Sequence, residues 1–316
     1  MQPHYPPIDP NTLVRLLRCP ACGADDSVTV FVKSGYSFVR CRSCALLYVN
    51  PRPDGQALSA LYKDAFFTGG VEVAGRVTKN YLEGSASYEA RSERALDRMA
   101  PLVKTGRLLD AGCGLGFFVK AARKRGWDAE GIDVSAYAVD VCKRQGLRVS
   151  KASLESAGYP PAYFDAIVAQ DVLEHLFDPR AFVERASVLL APGGLLVLEM
   201  PNNDSLPART KGARWLEYIP PVHLNFFNRR SITALLKANG FTVKALESEL
   251  SVSVGFRDLL YRIAGRWPGG IIAGIVDRVD RAVTYFKKDV FYPPVNAVLR
   301  AARIEGDLLV VLAVKK

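Results

Sequence analysis

Between residues 107 and 248, short apolar runs alternate with amphipathic stretches that have the spacing of helices. The apolar runs predict strands near 107–111, 128–132, 147–150, 165–170, 194–200 and 241–247. The stretches between them predict helices near 116–125, 135–145, 178–190 and 229–239. A further apolar run at 307–314 predicts a last strand. This alternation is typical of an α/β fold with a parallel, doubly wound sheet.

The pattern of hydrophobic and polar residues divides the whole chain into four segments. The predicted segments are a polar, proline-rich and disordered start (1–12), a small cysteine-rich domain (13–50), a helical lid or linker (51–105) and the main α/β domain (106–316). The linker predicts helices at 56–66 and 81–103. Tyr81, Tyr88 and Arg91 on the second helix are interpreted as surface residues, with contact to a ligand as the alternative.

A long segment, about 250–306, precedes the last predicted strand. It carries an apolar stripe at helical spacing, with charged positions between, and therefore predicts a helical insertion. We favour an interpretation in which these helices pack on the core. A substrate cap and a basic patch resting on an anionic membrane, which would make a peripheral membrane contact, are the alternatives.

Composition and charge limit the cellular compartments and the classes of partner that are compatible with this chain. Hydrophobic residues make up 49% of the chain, which predicts a folded protein with a buried core. A formal net charge of +10 favours anionic partners, namely nucleic acid, nucleotide-sugars or an anionic membrane surface. No apolar run is long enough to span a bilayer, and no secretory signal is visible, so we expect a cytoplasmic protein without a transmembrane segment.

Four of the six cysteines form two pairs, each with the spacing Cys-x-x-Cys. Cys19 and Cys22 form the first pair, and Cys41 and Cys44 form the second. The alternating residues 27–39 between the pairs predict a β-hairpin that brings them together. Four thiolates complete the tetrahedral shell of a structural Zn²⁺, so this segment is interpreted as a zinc ribbon. Two disulfides or four unrelated thiols are the alternatives, and disulfides are disfavoured in a reducing cytoplasm.

A glycine-spaced loop follows the first strand of the main domain. The strand ends at Asp110, and Gly112, Gly114 and Gly116 then allow the backbone to pass close to a ligand. Asp133 ends the next apolar run, where its carboxylate can accept hydrogen bonds from two ribose hydroxyls. In open α/β sheets, ligands bind beyond the carboxyl ends of the strands, which is where these residues map.

With these residues the chain resembles the class I S-adenosylmethionine (SAM)-dependent methyltransferases. The matching segments are LLDAGCGLG at 108–116, GIDVS at 131–135, YFDAIVAQDVLEHL at 163–176 and LAPGGLLVLEMPN at 190–202. The resemblance implies a Rossmann-like, doubly wound class I methyltransferase sheet and SAM as the cofactor. A Rossmann-like domain that binds no SAM is the alternative.

The resemblance also implies a set of cofactor-binding residues. These are Asp110, Gly112, Gly114, Gly116, Asp133, Ser153, Leu154 and Gln170. The glycines would lie near the methionine half of SAM, and Asp133 would hold the ribose. Ser153 and Leu154 would border the adenine. Many relatives carry an acidic residue near Ser153, so either Ser153 itself or Glu155 is expected to contact the adenine amino group.

His175 and His223 are the candidate catalytic residues, since either could accept the proton of the methyl acceptor near neutral pH. Asp171, Glu174 and His175 also resemble the acidic-x-x-Glu-His pattern of ubiquinone-biosynthesis O-methyltransferases and small-RNA 2′-O-methyltransferases. That resemblance implies a second divalent ion near the acceptor hydroxyl, held by these three side chains on one face of a helix. His223 is placed where the RNA enzymes carry a later histidine ligand. A metal-free pocket floor is the favoured alternative.

Three functions remain open at this stage. We favour a SAM-dependent methyltransferase that acts on a small-molecule or glycan-linked acceptor, by O- or C-methylation, because similar bacterial enzymes pair a zinc ribbon with this domain. An RNA methyltransferase is the second hypothesis, and the positive charge permits it. A non-catalytic SAM-binding scaffold is the third, although the intact loop from Asp110 to Gly116 counts against it.

Overall fold

The sheet predicted from the alternating apolar runs is present in the computed structural model, which describes residues 10–59, 67–68, 72–73, 76–77, 85–249 and 305–316. Seven strands lie in the order β10-β9-β8-β11-β12-β15-β14. Their bounds are β8 (Arg107–Ala111), β9 (Asp128–Asp133), β10 (Val149–Lys151), β11 (Phe164–Gln170), β12 (Leu190–Pro201), β14 (Phe241–Glu249) and β15 (Leu308–Lys315). The first five strands in this order pair in parallel, and β15 is antiparallel to both of its neighbours.

Both faces of this sheet are buried. Because successive side chains of a strand point to opposite faces, Leu108 packs into one apolar cluster and Leu109 into the other. The helices that cover the faces and the sheet ends are α2 (Ser85–Met99), α3 (Phe117–Lys124), α4 (Ala136–Arg144), α5 (Pro179–Leu189), α6 (Leu206–Lys211) and α7 (Arg229–Ala238). The α/β fold class predicted from the sequence is therefore confirmed.

Four of the described helices begin at side chains that cap them, and α5 and α7 are examples. The Asp178 carboxylate accepts hydrogen bonds from the backbone N–H groups of Arg180 and Ala181, with Pro179 at the first helical position. Asn228 and Ser231 form a reciprocal capping box at the start of α7. Such caps satisfy backbone donors that the first helical turn leaves without partners. They fix where α5 and α7 start.

The cysteine-rich segment forms the hairpin that its alternation predicts, but it does not form a self-contained sheet. Strands β2 (Ser27–Lys33), β3 (Tyr36–Cys41) and β4 (Leu47–Val49) are joined by β13 (Asn225–Phe226) from the main domain. Asn225 pairs with Tyr48 and Phe226 with Leu47. Phe226 also stacks on Phe38, with ring centroids 5.3 Å apart. The boundary predicted at residue 50 therefore lies inside a sheet and a core that both segments share.

The predicted lid or linker contains short strands as well as helices in its described residues. It contains β5 (Arg52–Pro53), which pairs with β1 (Leu13–Val14), the short helix α1 (Gly55–Ser59), and a two-stranded ladder of β6 (Glu72–Val73) and β7 (Arg76–Val77). Of the helix predicted at 81–103, residues 85–99 are helical.

Several predictions fall outside the described residues. They concern most of the disordered start, the rest of the helix at 56–66, Tyr81 and residues 250–304 of the helical insertion. Pro10–Thr12, which belong to the predicted start, form one turn of 3-10 helix. Among the described helices, none combines the length and the apolar character needed to cross a membrane.

Candidate active site

A cavity of about 440 Å³ opens at the carboxyl ends of the parallel strands. Its volume lies within the range of about 300–1,000 Å³ that is usual for small-molecule sites. Of the eight residues predicted to bind the cofactor, seven line it: Asp110, Gly112, Gly114, Asp133, Ser153, Leu154 and Gln170. Glu155 lines it as well. Residues from four separate parts of the sequence therefore converge on one crevice.

Gly116, the eighth residue, does not line the cavity. It precedes α3 with a φ of 78°, in the left-handed region that glycine tolerates. A Cβ at this position would lie 2.5 Å from Leu147 Cδ1 and 2.9 Å from Cys142 Sγ. Gly116 thus allows the turn into α3 and close packing against α4, and its contact with the cofactor stays a prediction.

Two buried carboxyl groups face the cavity from neighbouring strands. Asp133 Oδ2 accepts a hydrogen bond of 2.9 Å from Gly114 N, and its Oδ1 accepts one of 2.8 Å from Ser135 N. These bonds hold the carboxylate against the glycine loop. Burial, followed by the charge of Asp133, raises the pKa of Asp110 to about 8. A ligand that brings hydroxyl donors or positive charge would compensate these carboxyl groups.

Arg91 of α2 reaches the same crevice, so the interpretation of Arg91 as a surface residue is wrong. Its Nη2 donates a hydrogen bond of 2.8 Å to Asp171 Oδ1, and its Nε donates to Glu199 Oε2. The Glu199 side chain is only 1% exposed, and Asp171 adopts a φ of 54° just after β11. Tyr88, one helical turn earlier, also lines the cavity and stacks on Phe117. The ion pairs attach α2 to the strand ends.

Sequence analysis did not identify Glu199 as part of this arrangement. The signal was present, because Glu199 is a single acidic residue within the otherwise apolar strand β12. A carboxylate in a fully buried strand requires a cation or hydrogen-bond donors nearby. Its partner lies 108 residues earlier in the chain, which no local pattern reveals.

The two candidate catalytic histidines lie side by side, with ring centroids 4.7 Å apart. His175 lines the cavity, whereas His223 is not part of its lining. Nδ1 of His175 lies 2.8 Å from Val222 O, and Nδ1 of His223 lies 2.8 Å from Glu217 O. Because a carbonyl only accepts, both Nδ1 atoms are assigned as donors, and Nε2 carries the basic lone pair.

The protonation of His175 follows from its surroundings. Burial, then the neighbouring His223, lowers the pKa of His175 to about 3, despite the opposing effects of Asp171 and Glu217. The ring is therefore neutral near neutral pH. A neutral imidazole that faces a cavity is the form that accepts a proton.

The predicted metal-ligand face of Asp171, Glu174 and His175 is not formed. Only Leu173–His175 make a 3-10 turn, and Asp171 precedes it with left-handed backbone and ion-pairs with Arg91. Ligand atoms of Glu174, His175 and His223 do lie within 4.8 Å of one another. Glu174 is buried, and its Oε2 has no hydrogen-bond partner within the described parts of the chain.

The four cysteines of the ribbon come together at one point. The Sγ atoms of Cys19 and Cys44 are 3.6 Å apart, those of Cys22 and Cys41 are 3.5 Å apart, and all four lie within 4.8 Å of one another. A tetrahedral zinc with Zn–S bonds of about 2.3 Å would place its sulfur ligands roughly 3.8 Å apart. The cluster therefore has the dimensions of a zinc site, whereas a disulfide requires about 2.05 Å between its sulfurs.

Comparisons with known proteins agree with this arrangement. A family model described as a methyltransferase domain matches residues 85–246, about half of the chain. A ubiquinone biosynthesis O-methyltransferase from Methylocella silvestris is 36% identical over 107 residues, which cover 32% of this chain and 42% of that protein. A protein of the same name from Alkalilimnicola ehrlichii is 26% identical over 168 residues, which cover 46% and 68%. The chain spans about half the length of the curated relatives it matches.

The fold also resembles a solved structure. A chain from Thermotoga maritima, described as a SAM-dependent methyltransferase, superposes with a TM-score of 0.50. The two share 16% sequence identity, and the match covers 75% of this chain and 95% of the other. At this identity the likeness supports the fold alone.

We expect the Arg91→Met substitution to lower the free energy of unfolding by about 3 kcal/mol, because it leaves the buried Glu199 carboxylate without its cation. Adding Glu199→Gln should restore part of this loss. The matched control is Arg125→Met, which removes exposed ion pairs to Glu93 and Asp97 and should cost at most about 1 kcal/mol. Urea denaturation measures all of these changes. An equal loss in the two arginine variants would contradict the role given to Glu199.

Proposed function

This chain belongs to the methyltransferase-domain family, with a class I SAM-dependent methyltransferase fold, and we propose that it transfers the methyl group of SAM to a hydroxyl of a small molecule. The observation that carries the proposal is the single cavity that joins the predicted SAM-binding residues to the neutral His175. A donor and an acceptor bound in that cavity would lie next to each other, as an in-line transfer requires.

The chain's own residues fit the donor. Asp133, held by Gly114 N and Ser135 N, is oriented to accept from the ribose hydroxyls. Asp110 lies beside it, and a carboxyl group there suits the positive charge of the donor. Ser153, Leu154 and Glu155 line the part of the cavity assigned to the adenine. When bound, SAM supplies an electrophilic methyl group attached to a sulfonium, so the protein needs only to orient the acceptor and remove one proton.

We assign that proton transfer to His175. The Val222 carbonyl fixes its tautomer, which leaves Nε2 as the basic nitrogen. His223 lies behind it and supports its ring by edge contact. Because burial weakens His175 as a base, we place its contribution at the lower end of the usual range for general bases, about 10²-fold.

The acceptor class follows from the lining and from the relatives. The lining that includes Arg91 and His175 also contains apolar side chains, among them Leu58, Phe177 and Phe182. Such a surface suits an apolar molecule that carries a hydroxyl. The O-methyltransferase names of the relatives support hydroxyl methylation and a small acceptor, and they give no support to a glycan. The O-methylation part of the earlier hypothesis is retained on this basis.

The proposal includes one structural zinc ion, bound by Cys19, Cys22, Cys41 and Cys44. Four protein thiolates leave no open coordination position, so this ion would contribute to folding of the ribbon and not to methyl transfer. A second divalent ion at Glu174, His175 and His223 competes with the assignment of His175 as the base. The tests below distinguish the two.

We expect Asp133→Ala to weaken SAM binding by at least about 100-fold, because two charge-assisted hydrogen bonds to the ribose are together worth about 3 kcal/mol or more. Isothermal titration calorimetry with SAM and S-adenosylhomocysteine measures the effect. Asp140→Ala, which removes an exposed carboxylate from α4, is the matched control and should bind normally. Wild-type protein that binds neither compound would refute the proposed function.

His175→Ala should lower kcat by about 10²-fold on any hydroxyl acceptor that the wild-type protein methylates, with little change in S-adenosylhomocysteine affinity. His223→Ala should have a smaller effect, because His223 does not line the cavity. Rates are measured from S-adenosylhomocysteine release, with and without added Mg²⁺ or Mn²⁺. If activity depends on the added ion and is lost equally in both variants, the assignment of His175 as the base is wrong, and a metal ion bound at Glu174, His175 and His223 takes its place.

Purified protein should contain one zinc per chain, and Cys41→Ser should lose it and unfold at a lower temperature, because a structural zinc site contributes its binding energy to folding. Elemental analysis and thermal unfolding measure these properties. Cys142→Ser replaces a buried cysteine outside the cluster and should keep the metal. Zinc retained at full stoichiometry in Cys41→Ser would argue against the ribbon as the binding site.

A further inference from the structure

Arg52 is a fully buried arginine whose side chain is held without an ion pair in the described residues. It lies on β5, between the ribbon and the main domain, with no exposed surface. Its nearest hydrogen-bond partners are neutral oxygens rather than carboxylates. Burial lowers the pKa of Arg52 to about 9. A buried cation with only neutral partners is costly, so its position calls for a specific reason.

Three of the four partners of Arg52 belong to the segments that carry the two histidines. Its Nη1 donates 3.0 Å hydrogen bonds to Phe177 O and to Asn225 Oδ1, and its Nη2 donates to Leu224 O at 3.3 Å. Its Nε donates to Val49 O at the end of β4. Phe177 follows His175 by two residues, and Leu224 directly follows His223. One guanidinium therefore connects the ribbon to both histidine loops.

A second layer of hydrogen bonds continues from these partners to the histidines. Asn225, which accepts from Arg52, donates through Nδ2 to Leu173 O and Leu176 O, on either side of His175. Leu224 N donates to Glu174 O at 2.7 Å, and Val49 N donates to Leu224 O. The backbone around His175 is thereby tied to the backbone after His223 and to β4. Removal of Arg52 would take this donor away from Val49 O, Phe177 O and Asn225 Oδ1, whereas Leu224 O would keep its bond from Val49 N.

We propose that Arg52 is a positioning residue for methyl transfer: it uses the ribbon as a rigid support to hold the His175 and His223 loops in register beside the cavity. This inference rests on the proposed function. Arg52 does not line the cavity, so it would act through the two loops and not through contact with donor or acceptor. The donor end of the cavity, built on β8 and β9, has no bond to Arg52 and should bind its ligand independently.

The test compares Arg52→Met with Arg52→Lys and with the control Arg230→Met. Methionine removes all the N–H donors of the side chain. Lysine keeps the positive charge, but its single ammonium group cannot reach all the acceptors that the forked guanidinium of Arg52 bonds. Arg230, on α7, donates to Ser43 O and so also bridges the main domain and the ribbon, but it is exposed and does not bond the histidine loops. Two measurements are made on the full chain: S-adenosylhomocysteine affinity by calorimetry, and the ring resonances of the histidines by NMR at one fixed pH.

The chain has three histidines, so the ring spectrum is simple to assign with His175→Ala and His223→Ala as references. In Arg52→Met, the resonances of His175 and His223 should shift and broaden, while S-adenosylhomocysteine affinity stays within about twofold of wild type. In Arg52→Lys the same histidine resonances should shift in the same direction by a smaller amount, and Arg230→Met should leave the spectrum unchanged. On an acceptor that the wild-type protein methylates, kcat/KM should fall about 10²-fold in Arg52→Met.

Unchanged ring resonances in both Arg52 variants would overturn the proposal, as would a parallel loss of histidine order and S-adenosylhomocysteine binding in Arg52→Lys. If Arg52→Met fails to fold, the lysine variant decides by the same criteria. Wild-type protein that binds S-adenosylhomocysteine but methylates no acceptor would refute the proposed function alone, because the ring resonances report loop position without turnover.

Discussion

Both faces of the central sheet are buried, and this constraint decides where chemistry can be located on this chain. The central residues of strands β8, β11 and β12 have almost no exposed surface. Charged groups have no place on such faces unless they are paired, so they collect where the strands end and the backbone turns away. Asp110, Asp133 and Gln170 all lie at those ends.

The burial of the sheet faces also explains the ion pairs that Arg91 makes with Asp171 and Glu199. Glu199 breaks the rule by placing a carboxylate within a buried strand, and a cation must then come from an element that crosses the strand ends. Helix α2 supplies it, and this fixes α2 over the crevice. Arg91 also lowers the pKa of Asp171 overall, although burial alone would raise it. The left-handed backbone at Asp171 is therefore retained by a charge pair and by its position after β11.

The parts of the structure that the sequence predicted are those encoded over short distances. The glycine loop after Asp110, the alternation of strands and helices, and the hairpin between the cysteine pairs all depend on neighbouring residues. The prediction for Asp171 was wrong because it assumed a continuous helix, whereas the chain makes a tight turn followed by a single 3-10 turn. Gly116 shows that the same conformational freedom also serves packing, which the glycine spacing alone does not distinguish from ligand contact.

The donor half and the acceptor half of the proposed site differ in how they are built. The donor half comes mostly from one run of strand, loop and strand, in which Asp133 accepts from Gly114 N only 19 residues away. The acceptor half is assembled from segments far apart in sequence: Arg52 reaches Asn225 across 173 residues, and a two-residue strand joins the ribbon to the main domain. No periodicity marks such a strand, so the ribbon looks like a separate module in the sequence. In the structure, β4 of the ribbon pairs with β13 and accepts a hydrogen bond from Arg52, which also bonds the segments that carry the histidines. Changes in the ribbon should therefore affect the acceptor half more than the donor half.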